Sequence, residues 1–127
     1  MRLRAIVREA RKTGTPPRYS STGMAESRLE ILRNLVAQNP GDSFARYGLA
    51  MAYASAGDHA QAVEEYRKLL ENNPKYVAAY YHGGQALEKI GKPEEAREIY
   101  RRGIALCIEI GDTHTRSELE AVLDLLG

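Results

Sequence analysis

The fold of this chain is constrained most by an internal repeat, in which residues 77–110 copy the pattern of residues 43–76. Aligning the two segments superposes tyrosines, alanines and a turn glycine on identical residues. Close packing constrains positions of this kind, so the repeat predicts stacked helix pairs that bury each other's apolar faces. The matched pairs are Ala45 and Ala79, Tyr47 and Tyr81, Ala52 and Ala86, Gly57 and Gly91, Ala62 and Ala96, Glu64 and Glu98, Tyr66 and Tyr100, and Arg67 and Arg101.

Turn signals divide the chain from residue 24 onward into six helix-sized segments. The predicted helices span residues 25–38, 43 to the turn at 56–58, 59–72, 77–90, 93–110 and 113–126. Asp42 or Ser43 is suited to cap the second helix, and Pro93 is suited to the first turn of the fifth. No segment shows the alternation of a strand between hairpin turns. The sequence therefore predicts an all-α fold.

Composition indicates one soluble globular unit. The chain has 127 residues, about one domain at the usual ~100–200 residues per domain. Hydrophobic residues make up 43%, yet no run approaches the ~18–20 apolar residues of a membrane helix. A single cysteine excludes an intrachain disulfide, which favours a reducing compartment. We therefore expect a cytoplasmic protein without membrane contact.

Charge is unevenly distributed between the two ends of the chain. Residues 1–23 have a net charge of +5, whereas residues 24–127 have a net charge of −4. This split predicts a basic, flexible tail over 1–23 and a helical domain over 24–127. The repeat-like sequence begins at Met24. An alternative interpretation is therefore that translation begins at Met24 and that residues 1–23 are not part of the native protein. The six bases of the tail are Arg2, Arg4, Arg8, Arg11, Lys12 and Arg18.

Residues 43–76 and 77–110 resemble the tetratricopeptide repeat (TPR) family. The resemblance rests on small residues at close helix crossings, large residues between neighbouring pairs and one late proline. Four positions depart from the family pattern: Arg46 for an aromatic, Gly83 for leucine, Gly103 for alanine and Ile108 for proline. The matching residues are Leu49, Ala50, Tyr53, Ala62, Tyr66 and Pro74 in the first copy, and Tyr80, Gly84, Leu87, Ala96 and Tyr100 in the second.

The resemblance implies a right-handed α-solenoid of antiparallel helix pairs. Two full repeats, at 43–76 and 77–110, are flanked by a half repeat at 24–42 and a capping helix at 111–127. In the half repeat, Leu29, Leu32 and Val36, with Ile31 or Leu35, are expected to pack onto residues 43–72. In the capping helix, one stripe is expected to be buried and the other face solvated. That stripe consists of Leu119, Val122, Leu123 and Leu126.

The sequence offers little that would support catalysis. His59, His82, His114 and Cys107 lie far apart and share no metal-ligand spacing. Gly83 and Gly84 fall inside a predicted helix and indicate close packing rather than a phosphate-binding loop. We therefore expect no enzyme, no cofactor, no metal and no small-molecule substrate.

The resemblance to the tetratricopeptide repeat family implies a peptide-binding groove rather than an active site. In this family the first helices of successive pairs line a concave surface that holds a peptide. Its inward positions combine apolar and aromatic residues with polar ones, which suits a peptide with one or two hydrophobic anchors. Of the two tyrosines, Tyr81 is the stronger candidate because its neighbours in the groove are polar. The candidate groove residues are Phe44, Tyr47, Met51, Tyr81, His82, Gln85 and Lys89.

Co-chaperone members of the family clamp a terminal carboxylate with lysine and asparagine side chains. Tyr47, Met51 and His82 stand at the corresponding positions of this sequence. The clamp is missing, so we expect no binding of acidic C-terminal chaperone peptides.

Other interpretations remain open at this stage. Tyr47 and Met51 could be covered by a neighbouring element, which would leave no open groove. The basic tail could bind nucleic acid or an anionic membrane surface, although the net acidic domain makes nucleic acid an unfavoured partner. The end faces of so short a solenoid could also stack into a homodimer.

Overall fold

The computed structural model describes residues 22–127, with side chains from Ser27 onward. Six α-helices follow one another in this part of the chain, and no strand occurs in it. The first helix begins three residues earlier than predicted, and the other boundaries agree to within one residue. Residues 1–21, which include all six bases of the predicted tail, lie outside the described residues, whereas Thr22 and Gly23 belong to the first helix. The helices are α1 (Thr22–Gln38), α2 (Ser43–Ser55), α3 (His59–Asn72), α4 (Val77–Lys89), α5 (Pro93–Ile110) and α6 (Thr113–Leu126).

Aspartates begin three of these helices. The carboxylates of Asp42, Asp58 and Asp112 accept backbone N–H groups that have no partner inside the helix. Each such cap stabilises its helix by about 1 kcal/mol. Gly57 and Gly91 lie in the turns between paired helices with φ of 84° and 77°, a conformation that other residues reach only with strain. Local signals of this kind explain why the helix ends were predictable.

The helices form two layers. Each helix packs on the next along the chain, and α4 also contacts both α2 and α6. Helices α2, α4 and α6 thus form an inner layer whose successive members pack on each other. Helices α1, α3 and α5 form the outer layer, in which an ion pair between Arg67 and Glu95, at 2.7 Å, joins α3 to α5. The all-α helical solenoid is confirmed. Among the described helices, none combines the length and the apolar character that crossing a membrane requires.

Small residues let the helices approach closely. Ala50, Ala62, Ala79 and Ala96 are completely buried at the crossings. Gly103, one of the departures from the family pattern, lies where α4, α5 and α6 meet. A β-carbon on Gly103 would come within 2.6 Å of Tyr80 Cβ and 2.9 Å of Leu119 Cδ1. The missing methyl group at this position therefore allows the capping helix to dock.

The departure at Arg46 has a different cause. Its side chain is buried in the first helix pair, where Nη1 forms an ion pair with Glu65 Oε1 at 2.7 Å. The second guanidinium nitrogen, Nη2, donates to the carbonyl oxygen of Pro40 at 3.2 Å. A hydrogen-bonded ion pair thus occupies the position where the family pattern has an aromatic ring.

The two ends of the solenoid are covered to different extents. Leu119 is buried, and Val122, Leu123 and Leu126 pack on the core, as predicted for the capping stripe. In α1, Val36 is buried and Leu29 and Leu32 are partly buried, also as predicted. The expected contribution of Ile31 or Leu35 is not found, because these side chains are 58% and 46% exposed. They point away from α2, so the outer face of α1 remains apolar and open to solvent.

Candidate peptide-binding groove

The inner faces of α2 and α4 enclose a hollow of about 230 Å³, called here the first hollow. Its lining comes from the last two turns of α2 and α4 and from His59 and Tyr66 of α3. Most of its surface is apolar, and Lys89 supplies a cation at its edge. The first hollow is lined by Met51, Ala54, Ser55, His59, Tyr66, His82, Gln85, Ala86 and Lys89.

A second hollow, of about 480 Å³, lies between α4 and α6. It uses the first two turns of both helices and adjoins the first hollow at His82, which lines both. Carboxylates from α6 and the residue before it stand on one side of it and Tyr81 on the other. The second hollow is lined by Val77, Ala78, Tyr81, His82, Asp112, Thr115 and Glu118.

The residues predicted for the groove fall into three groups. Met51, His82, Gln85 and Lys89 line the first hollow, and Tyr81 lines the second together with His82. Tyr47 lines neither hollow and packs beside them. Phe44 is 77% exposed and lies outside both.

Tyr47 belongs to an aromatic cluster rather than to an open surface. Its ring centroid lies 5.1 Å from that of Tyr76, 6.3 Å from Tyr66 and 5.9 Å from His82. Pairs at these separations stabilise by about 0.5–1.5 kcal/mol beyond the area they bury. Burial raises the pKa of the Tyr47 phenol, and nearby Tyr76 adds to the effect. Tyr47 therefore fixes how α2 and α4 lie against each other.

Buried tyrosines hold the polar side chains of the groove in place. Tyr66 donates its hydroxyl to Met51 Sδ at 3.1 Å. Tyr100 accepts a hydrogen bond from Gln85 Nε2 at 2.9 Å and donates to Glu88 Oε2 at 2.5 Å. Burial raises the pKa of both tyrosines far above the usual range, so their hydroxyls stay protonated. The positions of Met51 and Gln85 are thus set by the core beneath them.

The electrostatic character of the groove changes from one hollow to the other. Among the described residues, Lys89 is the only ammonium or guanidinium group that lines the first hollow, and no carboxylate lines it. Asp112 and Glu118 line the second hollow, and none of its described lining residues is a lysine or an arginine. The backbone and side chain of Thr115 hydrogen-bond Asp112 and lower its pKa, which keeps this carboxylate charged.

His82 lies between these two regions as a neutral group. Burial lowers the pKa of its imidazole, and Glu118 opposes this shift without reversing it. The ring stacks edge-on against Tyr81, with centroids 5.2 Å apart. At neutral pH, His82 therefore offers a flat, uncharged surface in the middle of the groove.

Sequence reasoning missed the contributions of α3 and α6 to these hollows. His59 begins α3 and lines the first hollow, where its Nδ1 is buried and has no hydrogen-bond partner among the described residues. Thr115 and Glu118 belong to the helix that was predicted only as a cap. The signal was present, because α6 follows α4 as α4 follows α2 and so continues the inner layer.

The described residues offer no grouping of three His, Cys, Asp or Glu side chains that could hold a metal ion. Cys107 is buried in α5, and burial raises the pKa of its thiol. A thiol of this kind is a poor nucleophile at neutral pH because the thiolate is the reactive form.

Paired helices in two layers, with a hollowed inner face, define a protein of the helical-repeat class. The family model described as tetratricopeptide repeat matches residues 29–76 and, in a second alignment, residues 47–108. The chain therefore belongs to the tetratricopeptide repeat family. No curated protein matches the chain in sequence.

Solved structures agree with this assignment. A tetratricopeptide repeat domain protein from Salinibacter ruber is 31% identical over 69% of this chain and 89% of its own, with a TM-score of 0.65. The type III secretion chaperone SycD of Yersinia enterocolitica, in complex with a peptide of the translocator YopD, is 19% identical. It covers 85% of this chain and 83% of its own, with a TM-score of 0.72. The TPR2B domain of yeast Sti1, in a complex with pHsp70, is 17% identical over 85% and 86%, with a TM-score of 0.75.

Proposed function

We propose that this protein is a non-catalytic interaction module, a cytoplasmic scaffold or adaptor that holds a short segment of another protein in its groove. The observation that carries the proposal is the first hollow, where α2 and α4 leave Met51 and Ala54 partly exposed beside the buried Ala86. Its volume of about 230 Å³ is below the ~300–1,000 Å³ typical of pockets for whole drug-sized ligands. A single large apolar side chain of a bound segment fits such a space better than a free metabolite.

Three further observations support a peptide as the ligand. Methionine adapts its shape to different apolar partners, as at other promiscuous binding surfaces. Gln85 and His82 beside it can hydrogen-bond to the backbone of an extended segment. SycD, which shares the fold, is known in complex with a YopD peptide.

The chemistry of the described nucleophiles supports a role without catalysis. Tyr66 and Tyr100 use their hydroxyls in hydrogen bonds and stay protonated, and Cys107 is a buried thiol. None of these groups lies exposed beside a base that could activate it.

A peptide-display selection on the full chain, followed by fluorescence anisotropy with the enriched peptides, tests the proposal. We expect Met51→Glu and Tyr81→Ala to weaken binding at least about tenfold, a loss of about 1.4 kcal/mol, while helix content stays unchanged. Phe44→Ala is the matched control, because Phe44 is an exposed aromatic outside both hollows. Equal effects of Met51→Glu and Phe44→Ala would reject the groove as the binding site.

Self-association is a second proposal, and one observation favours it. Leu35 is 46% exposed, whereas Leu69, at the equivalent position of the following repeat, is completely buried. Two copies that packed their α1 faces together would cover Leu35 and Ile31. Sedimentation at low micromolar concentration should then show a dimer that Leu35→Glu dissociates, and a monomeric wild type would exclude it.

A further inference from the structure

The two hollows carry opposite charge. Lys89 stands at the first, whereas Asp112 and Glu118 stand at the second. The pKa of Asp112 is lowered by its hydrogen bonds with Thr115, and the ion-pair partner of Glu118 among the described residues is the exposed imidazole of His114 at 3.4 Å. The acidic side of the groove therefore keeps its charge available at neutral pH.

The hollows also lie at different heights along the helices. The first is formed by the C-terminal turns of α2 and α4, and the second by the N-terminal turns of α4 and α6. A segment that occupies both therefore crosses the inner layer diagonally and passes over the neutral ring of His82. Its side chains enter the two hollows at two separate points along its sequence.

We infer that the groove selects segments in which a large apolar residue and a lysine or arginine stand at a fixed spacing. This inference rests on the proposed function. The apolar side chain enters the first hollow, against Met51 and Ala86, and the basic side chain meets Asp112 and Glu118 in the second. Charge complementarity of this kind contributes chiefly to specificity, since it penalises the wrong charge as well as attracting the right one.

A charge reversal at Glu118 tests the inference. Random-peptide display is performed with the full-length wild type, with Glu118→Lys and with Glu120→Lys. Glu120 is a matched control because it lies on the same helix and also forms an i,i+4 pair, with Arg116 at 3.0 Å, but lines neither hollow. Circular dichroism confirms that each variant retains its helix content.

We expect the wild type to enrich an apolar residue and a lysine or arginine at one fixed spacing. Glu118→Lys should change the basic residue at that spacing to aspartate or glutamate, and Glu120→Lys should leave it basic. Measured with one basic probe peptide from the wild-type selection, affinity should fall about tenfold or more in Glu118→Lys. Added salt should reduce the difference in affinity between the wild type and Glu118→Lys, because the contact between Glu118 and the basic side chain lies near solvent.

The remaining outcomes separate the inference from the function on which it rests. Enrichment of apolar residues without a charge preference, or with one that Glu118→Lys leaves in place, would overturn the inference and leave groove binding intact. Failure of the wild type to enrich any apolar motif would overturn groove binding and the inference together.

Discussion

The ring of Tyr100 lies directly across Gly84, so that a β-carbon on Gly84 would come within 2.1 Å of Tyr100 Cε1. This contact joins α4 to α5 in the second helix pair. It also brings the Tyr100 hydroxyl within hydrogen-bonding distance of Gln85 and Glu88 on α4. Gly84 therefore determines both how α4 packs on α5 and where the groove residue Gln85 is held.

Gly84→Ala should destabilise the protein although alanine favours helix. The added methyl group gains about 1 kcal/mol of helix propensity but must displace a completely buried ring. Overpacking of this kind costs about 1–3 kcal/mol, and the closeness of the contact places this case at the upper end. We expect the free energy of unfolding, measured with urea, to fall by about 1–2 kcal/mol.

Gly48→Ala is the matched control for this substitution. Its new methyl group would lie 3.3 Å from Leu32 Cδ2, the end of a flexible and only partly buried side chain. The variant should be as stable as the wild type or more stable by up to about 1 kcal/mol. If Gly84→Ala were equally tolerated, the close approach of Tyr100 would not be a constraint on the fold.

The helix ends were predictable because each depends on residues within a few positions of it. Asp58, Gly91 and Pro93 are signals that a reader of the sequence can interpret without knowing the partner helix. The crossing at Gly84 was also predictable, through the family pattern. The packing of the Tyr100 ring against Gly84 was not predictable. Tyr100 lies on α5, and the direction of its side chain depends on how α4 and α5 pack together.

The groove was predictable only where the repeat is regular. Met51, His82 and Gln85 follow from the register of the two full repeats, and they do line the first hollow. Thr115 and Glu118 were not predicted, because residues 111–127 were interpreted only as a capping helix. Thr115 lies 34 residues after Tyr81, so the register of the repeats could have assigned it to the groove.

The buried ion pair provides a second test of the fold. Arg46→Met leaves the Glu65 carboxylate buried, with both side chains of the wild-type pair no more than 10% exposed. Removing one partner of such a pair costs about 3–5 kcal/mol, whereas replacing both partners by apolar residues is often neutral. The double variant Arg46→Met/Glu65→Leu should therefore be more stable than Arg46→Met alone.

Thermal and urea denaturation of the wild type, Arg46→Met, Glu65→Leu and the double variant form a double-mutant cycle for this pair. A double variant whose loss equals the sum of the two single losses would show that Arg46 and Glu65 act independently. In that case, the role of Arg46 would be its hydrogen bond with the carbonyl group of Pro40.

The groove should not distinguish a peptide with a free acidic C-terminus from its amide. Tyr47 is held in an aromatic cluster, Met51 accepts a hydrogen bond from the Tyr66 hydroxyl, and burial lowers the pKa of His82. None of the three side chains presents a positive charge to a carboxylate at neutral pH. Anisotropy titrations with a labelled acidic peptide and its amidated form should give the same affinity within about twofold, since twofold is well under 1 kcal/mol. Micromolar binding that disappears on amidation would contradict this expectation.

Stability should decrease in mild acid because of His82. Burial lowers its pKa in the folded state below the ordinary value of 6.5, so at lower pH the unfolded chain binds the proton more readily than the folded chain does. The stability that the folded state gains from a neutral His82 is therefore fully present above pH 6.5, and it is lost as the pH falls through the lowered pKa of the folded state. Urea denaturation at pH 7.5 and 5.5 should show a smaller decrease for His82→Gln than for the wild type. His114→Gln, at an exposed position on α6, should retain the wild-type decrease, and an identical decrease in all three proteins would place the acid sensitivity elsewhere in the chain.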